Sequence, residues 1–264
     1  MGRATAGVTV LTFVAAAAAS YAAVGDVLSS FSWSDSMRGI YRDGTYVYGV
    51  HQYTYEPAEL ITFTPSGSML PSRVRLPGLN AAGDADHSSL GPNYLAVLDG
   101  TTFLREYVIS SGSFVRSTAA SGMTGYAYIP GSGYMYLATG TRVYRYTTAG
   151  SLVSSFPIPG GYIGGIAATT KYKGLSGEYI LAAVWAYDTD AVLVYNAGGS
   201  VVGTFSVPGT TYGCVCGPGY PSSANATFWC NLHTGVTRWA YQISLGNGVA
   251  VEPTSLGKVK ALFR

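Results

Sequence analysis

The sequence is short of charge. Only 11% of its 264 residues are Asp, Glu, Lys or Arg, with 15 basic against 13 acidic side chains and a formal net charge of +2. An ordinary soluble chain carries about a quarter. Counterion-release binding to nucleic acid needs clustered Lys and Arg, so no nucleic-acid partner is expected. No apolar run approaches the ~20 residues that a membrane-spanning helix needs. The longest is Val8 to Ala19, interrupted by Thr9 and Thr12. His numbers 3 and Cys 3, and the three Cys have no nearby His at a zinc-finger spacing. What is abundant is Gly, at 35, and Tyr, at 22, within a composition that is 48% hydrophobic. Turn-formers mixed with aromatics favour β structure, and the apolar content suffices for a core.

The N-terminus reads as an address. Arg3 precedes the apolar run, and Ser20-Tyr21-Ala22 follows it with small residues at the −3 and −1 positions. Those are the parts of a secretory signal peptide, expected to span 1–22. The mature protein is then expected outside the cell, at the cell surface or in a periplasm, without a transmembrane anchor. An oxidising compartment permits a disulfide between two of Cys214, Cys216 and Cys230. Buried free thiols and a metal site are the alternatives. Asn225-Ala-Thr227 has the form of a glycosylation sequon.

Two marks repeat along the chain. The first is Gly, a small residue, two apolar residues, then small residues and an aromatic. It reads Gly150-Ser-Leu-Val-Ser-Ser-Phe156 and Gly199-Ser-Val-Val-Gly-Thr-Phe205, and again Gly25-Asp-Val-Leu-Ser-Ser-Phe31. Weaker copies are Gly67-Ser-Met-Leu-Pro-Ser-Arg73 and Gly112-Ser-Phe-Val-Arg-Ser-Thr118. The second mark is a Gly that opens a strand: Gly39, Gly83, Gly125, Gly165 and Gly213. Both recur every 38 to 49 residues. Between them lie two more β-rich runs, such as Tyr134–Ala138 and Arg142–Tyr146. Four short strands in such a period are the size of a propeller blade. The expected fold is all-β, a five-bladed β-propeller over 23–253, closed by the N-terminal strand Val27–Phe31 as the outer strand of the last blade. Six blades are the alternative. The glycines of the second mark are expected where inner strands crowd the axis.

The residues Gly165-Ile-Ala167, Val192-Leu-Val-Tyr-Asn196 and Gly199-Ser-Val-Val-Gly-Thr-Phe-Ser-Val-Pro-Gly209 resemble the degenerate blades of NHL and streptogramin-lyase-like secreted propellers. The resemblance implies the fold. Those families include enzymes, binders and scaffolds, and no motif here matches the lyases' metal-assisted His/Glu site.

The C-terminal segment 254–264 is a surplus strand or tail. Val259, Ala261 and Phe263 alternate with Lys258 and Lys260, as in a half-buried strand. It either adds to an outer edge or pairs with a second copy. Val249-Ala-Val251 competes with the N-terminal strand for the last outer position.

Candidate ligand-binding residues fall in two sets. One is the loop face, with His51, Tyr53, Tyr162, Trp185, Tyr187, Asp188, Tyr212 and His233, where aromatics beside polar groups suit a sugar. The other is a departure from the repeat. After the inner-strand Gly, four repeats are largely apolar, but the second places Asp84 and Asp86 on one face, followed by His87. Two carboxylates near the axis are costly unless paired or liganded. An ion pair between Arg42 and Asp86 is expected, with calcium or catalytic use as the sharper alternatives. No catalytic signature is present. The sequence points to a binding or structural module for a glycan or an extracellular protein, against a carbohydrate-active hydrolase or lyase using axial carboxylates.

Overall fold

The structure is a computed structural model that describes residues 22–33, 37–51, 58–159, 162–185, 190–218, 226–234 and 237–246. Residues 1–21 of the expected signal peptide 1–22, the loop residues Tyr53, Tyr187 and Asp188, and the segment 254–264 lie outside the described residues. The architecture is all-β, in five antiparallel four-stranded sheets. The N-terminal strand β1 spans Val27–Trp33. Blade 1 is β2 (Met37–Arg42), β3 (Val47–His51), β4 (Glu59–Phe63) and β5 (Met69–Arg75). Blade 2 is β6 (Ala82–His87), β7 (Tyr94–Asp99), β8 (Phe103–Val108) and β9 (Phe114–Ala119). Blade 3 is β10 (Gly125–Tyr128), β11 (Tyr134–Ala138), β12 (Arg142–Thr147) and β13 (Leu152–Pro157). Blade 4 is β14 (Tyr162–Tyr172), β15 (Leu175–Trp185), β16 (Asp190–Asn196) and β17 (Val201–Ser206). Blade 5 is β18 (Thr210–Pro218), β19 (Ala226–Thr234) and β20 (Thr237–Ile243), completed by β1.

The ring therefore closes as the repeat count expected. Strand β1 pairs antiparallel with β20, Phe31 opposite Ala240, so the two ends of the described chain share one sheet. That slot is taken by β1; Val249–Val251 lies outside the described residues. Each blade alternates side chains between its two faces, and each face buries against the next blade. The core is accordingly five clusters between blades, not one centre. Phe205 and Phe228 meet between blades 4 and 5, and Phe31, Trp33 and Phe63 between blades 5 and 1.

The inner-strand glycines sit where expected, for a steric reason. A Cβ on Gly213 would lie 2.6 Å from the Arg38 carbonyl oxygen, and one on Gly39 2.8 Å from that of Gly83. One on Gly165 would come to 3.2 Å from the Gly213 Cα. At Gly83 the nearest atom, 3.2 Å away, is a Leu98 side chain of the same blade. Four of these five inner strands also shift register at or beside the glycine. The bulge bends the strand where it passes the axis.

Candidate functional site

An inner strand pairs on one side only, so its other edge turns backbone N–H groups toward the axis. Buried N–H groups need acceptors. In blades 3, 4 and 5 the residue after the inner glycine is Tyr126, Ile166 and Cys214. Their amides donate to a single carboxylate, that of Asp84. The Tyr126 and Ile166 amides reach Oδ2 at 3.2 and 2.8 Å, and the Cys214 amide reaches Oδ1 at 3.0 Å. Asp84 itself follows Gly83 in blade 2, so one member of the ring of equivalent positions supplies the acceptor for three others. Its side chain is fully buried. Burial pushes its carboxyl well up from the ordinary value, against the pull of the Ile166, Cys214 and Tyr126 amides.

Asp86 repeats the device two residues on. Its Oδ2 accepts the Tyr128 amide at 2.9 Å, and its Oδ1 meets both the backbone amide and Nδ1 of His87 at 2.6 Å. Burial raises its pKa, and His87 is the largest opposing influence. The ring of His87 lies edge-on to Tyr41 with centroids 4.9 Å apart. Tyr126 Oη donates to the His87 carbonyl at 2.9 Å. The His87 side chain is 16% exposed.

The expected pair of Arg42 with Asp86 does not form. The Arg42 guanidinium is buried in its own β2–β3 turn, where it donates to the carbonyls of Asp43, Gly44 and Tyr46. Asp86 takes a partner from its own strand and one from the neighbouring blade instead. The expected disulfide is also corrected. Cys214, Cys216 and Cys230 are all buried free thiols. Cys214 and Cys230 stand directly opposite in the β18–β19 ladder. Opposed Cβ atoms in such ladders are roughly 4.5–5.5 Å apart, wider than the ~3.8 Å mean of a disulfide. Burial raises all three thiol pKa values.

The loop-face residues form a separate set. His51, Asp99, Trp185 and His233 end or nearly end the second strands of blades 1, 2, 4 and 5, paired across from Met37, Ala82, Tyr162 and Thr210. These positions circle one rim, while His87 ends its strand toward the opposite face. The two sets expected from the sequence are thus separated in the fold. On the rim Tyr162 is 48% exposed and packs on Gly140, where a Cβ would lie 3.0 Å from its ring. His51 is buried. Asp99 is spent on structure: Oδ1 accepts the Asn80 and Ala81 amides and Oδ2 pairs with Arg105 Nε at 2.6 Å. Trp185, Tyr212 and His233 take strand positions on this rim.

A further group escaped the sequence reading. Between blades 2 and 3 lies a cleft of about 150 Å³, bordered by Glu106, Arg116 and Thr118. Glu106 is buried, accepts the Ser88 hydroxyl at 2.5 Å and pairs with Arg116 Nε. The signal for it was the weaker repeat copy ending at Thr118, where stronger copies end in Phe.

The arrangement defines a five-bladed β-propeller whose axis is plugged by its own carboxylate. No protein-family model and no curated protein matches the sequence. Among solved structures, the chain is similar to the crystal structure of Myxococcus xanthus glutaminyl cyclase, with TM-score 0.60 and 14% identity, covering 85% of this chain and 97% of that one. BBS1N in complex with ARL6DN gives TM-score 0.43 at 12% identity, covering 86% and 68%. The mitotic checkpoint complex gives 0.44 at 10%, covering 77% and 60%. At 14% identity the likeness to the cyclase is one of fold. These matches do not confirm the resemblance to NHL and streptogramin-lyase-like blades.

Proposed function

We propose that the chain is a secreted, non-catalytic propeller that binds a glycan or an extracellular protein through its rim and serves as a surface or assembly module. One observation carries this reading: both oxygens of the Asp84 carboxylate are committed to amides of three other blades. A catalytic acid or base must reach the proton it transfers. Asp84 is 0% and Asp86 1% exposed, so neither touches a bound substrate. Calcium has no part in the reading, because N–H dipoles aim their positive ends at both Asp84 oxygens. The scarcity of charge and the exposed Tyr162 suit recognition by ring stacking on an apolar sugar face or a protein surface. The N-terminal segment supports the secreted location.

A second reading, a carbohydrate-active hydrolase or lyase, has one feature in its favour. His87 is partly exposed and its Nδ1 is held by a buried carboxylate, which is the form of a proton-transfer group. A glycan array probed with the mature protein and with Tyr162→Ala separates surface from axis. Loss of at least tenfold in signal with Tyr162→Ala supports the rim. Binding that ignores Tyr162 and falls with His87→Gln moves the site to the opposite face and overturns the proposal.

A further inference from the structure

The repeat carries a stopper that one seam lacks. In each blade, one residue of the outer strand stands opposite an equivalent position of the third strand. These pairs are Ala240–Phe31, Leu60–Val74, Leu104–Thr118, Val143–Phe156 and Val192–Phe205. The three phenylalanines are buried, at 7 to 8% exposure. Each packs under the glycine that leads into the outer strand of the following blade. A Cβ on Gly67 would strike Phe31 at 2.4 Å, one on Gly199 Phe156 at 2.5 Å, and one on Gly25 Phe205 at 3.2 Å. In blade 1 the smaller Val74 takes the place, 2.7 Å from the same point on Gly112. In blade 2 the residue is Thr118, which is exposed, and Gly150 of blade 3 has nothing within 4 Å. The space left is the cleft of about 150 Å³.

From this vacancy we infer that the seam between blades 2 and 3 is a binding site for a small aromatic carboxylate, independent of the rim. The ring takes the place that a phenylalanine fills in three other seams, against Leu104, Met135 and Leu137. A space of ~150 Å³ is large enough for a benzene ring, and here Leu104, Met135 and Leu137 share the walls with Ser89, Thr118 and Thr148. The carboxylate is chosen by the mouth. Both Glu106 oxygens already accept a hydrogen bond, one from Ser88 and one from Arg116, so its negative charge is neutralised by the guanidinium. The Arg116 side chain lines the cleft, is 47% exposed, and binds Glu106 through Nε and Ser89 through Nη2. A guanidinium so held presents charge-assisted N–H donors to an anion at the cleft edge.

The test uses phenylacetate as the probe and the Met135 methyl resonance as the readout in the wild-type chain. Phenylacetate should shift that resonance saturably, whereas acetate at equal concentration should not. Benzyl alcohol, which keeps the ring and loses the charge, should bind about tenfold more weakly. Thr118→Phe installs the missing stopper and should abolish the shift; Thr118→Leu, a smaller filling, should weaken it if the first variant fails to fold. Arg116→Lys should weaken phenylacetate more than benzyl alcohol. No saturable shift in the wild type overturns the inference. So does undiminished binding in a folded Thr118→Phe or Thr118→Leu protein.

Discussion

Replacing Asp84 with Ala would remove the acceptor that three blades share. The Tyr126, Ile166 and Cys214 amides would then be buried without a partner. An unsatisfied buried donor costs about 1–3 kcal/mol, so the gross loss is about 3–9 kcal/mol. Part returns, because the variant no longer buries a carboxyl. A net loss of about 2–5 kcal/mol is expected, against the ~5–15 kcal/mol that holds a folded domain together. The protein should fold, but marginally. Asp84→Asn should fall between: its oxygen serves one side while its NH₂ group confronts the donors on the other. Urea denaturation gives the order wild type, Asn, Ala. Hydrogen exchange adds a local check, since the three amides should exchange faster in the Ala variant than their neighbours on the same strands. Stability of Asp84→Ala within ~0.5 kcal/mol of wild type, with those amides still protected, would refute the reasoning.

Other consequences can be checked separately. Burial raises the folded-state pKa of Asp84 well above the ordinary carboxyl value of the unfolded chain. Its contribution to stability is then full below that value and is lost as pH rises through the folded pKa. The advantage of wild type over Asp84→Asn, measured by denaturation across pH, should be largest in acid and shrink upward; the opposite slope would contradict it. Gly213→Ala drives a methyl to 2.6 Å from the Arg38 carbonyl oxygen, whereas at Gly83 the nearest atom is the Leu98 side chain at 3.2 Å. Thermal melts should place Gly213→Ala lower by roughly 1–3 kcal/mol. Thiol titration of the folded protein should be silent, and unfolding without reductant should release three reactive thiols, not one. Size-exclusion of a chain ending at Pro253 tests assembly through 254–264; an unchanged oligomeric state removes that role.

The blade count was legible because two marks recur together, and each does a structural job. The inner glycines let strands crowd the axis, and the outer-strand glycine and aromatic lock one blade to the next. Asp84 and Asp86 stood out because they break an apolar pattern. Their partners were not legible, since the groups that satisfy them are backbone amides, which every residue carries. Counting from the glycine aligned Arg42 with Asp86, but alignment between blades does not reveal which way a long side chain turns. Arg42 found three carbonyls in its own turn instead. The disulfide was argued from compartment, while strand register decides how two opposed cysteines meet. Thr118 looked like a weak copy of the repeat, and its meaning required knowing what the other copies pack against.

The proposal is that the axial carboxylates hold the ring together and take no part in chemistry. It is tested most directly by assaying the mature protein on a panel of glycosidic substrates beside Asp86→Asn and His87→Gln, with folding verified for each. The account predicts retained glycan or protein binding with no turnover by any of the three. Turnover by the wild type that disappears in a folded Asp86→Asn or His87→Gln protein would contradict it.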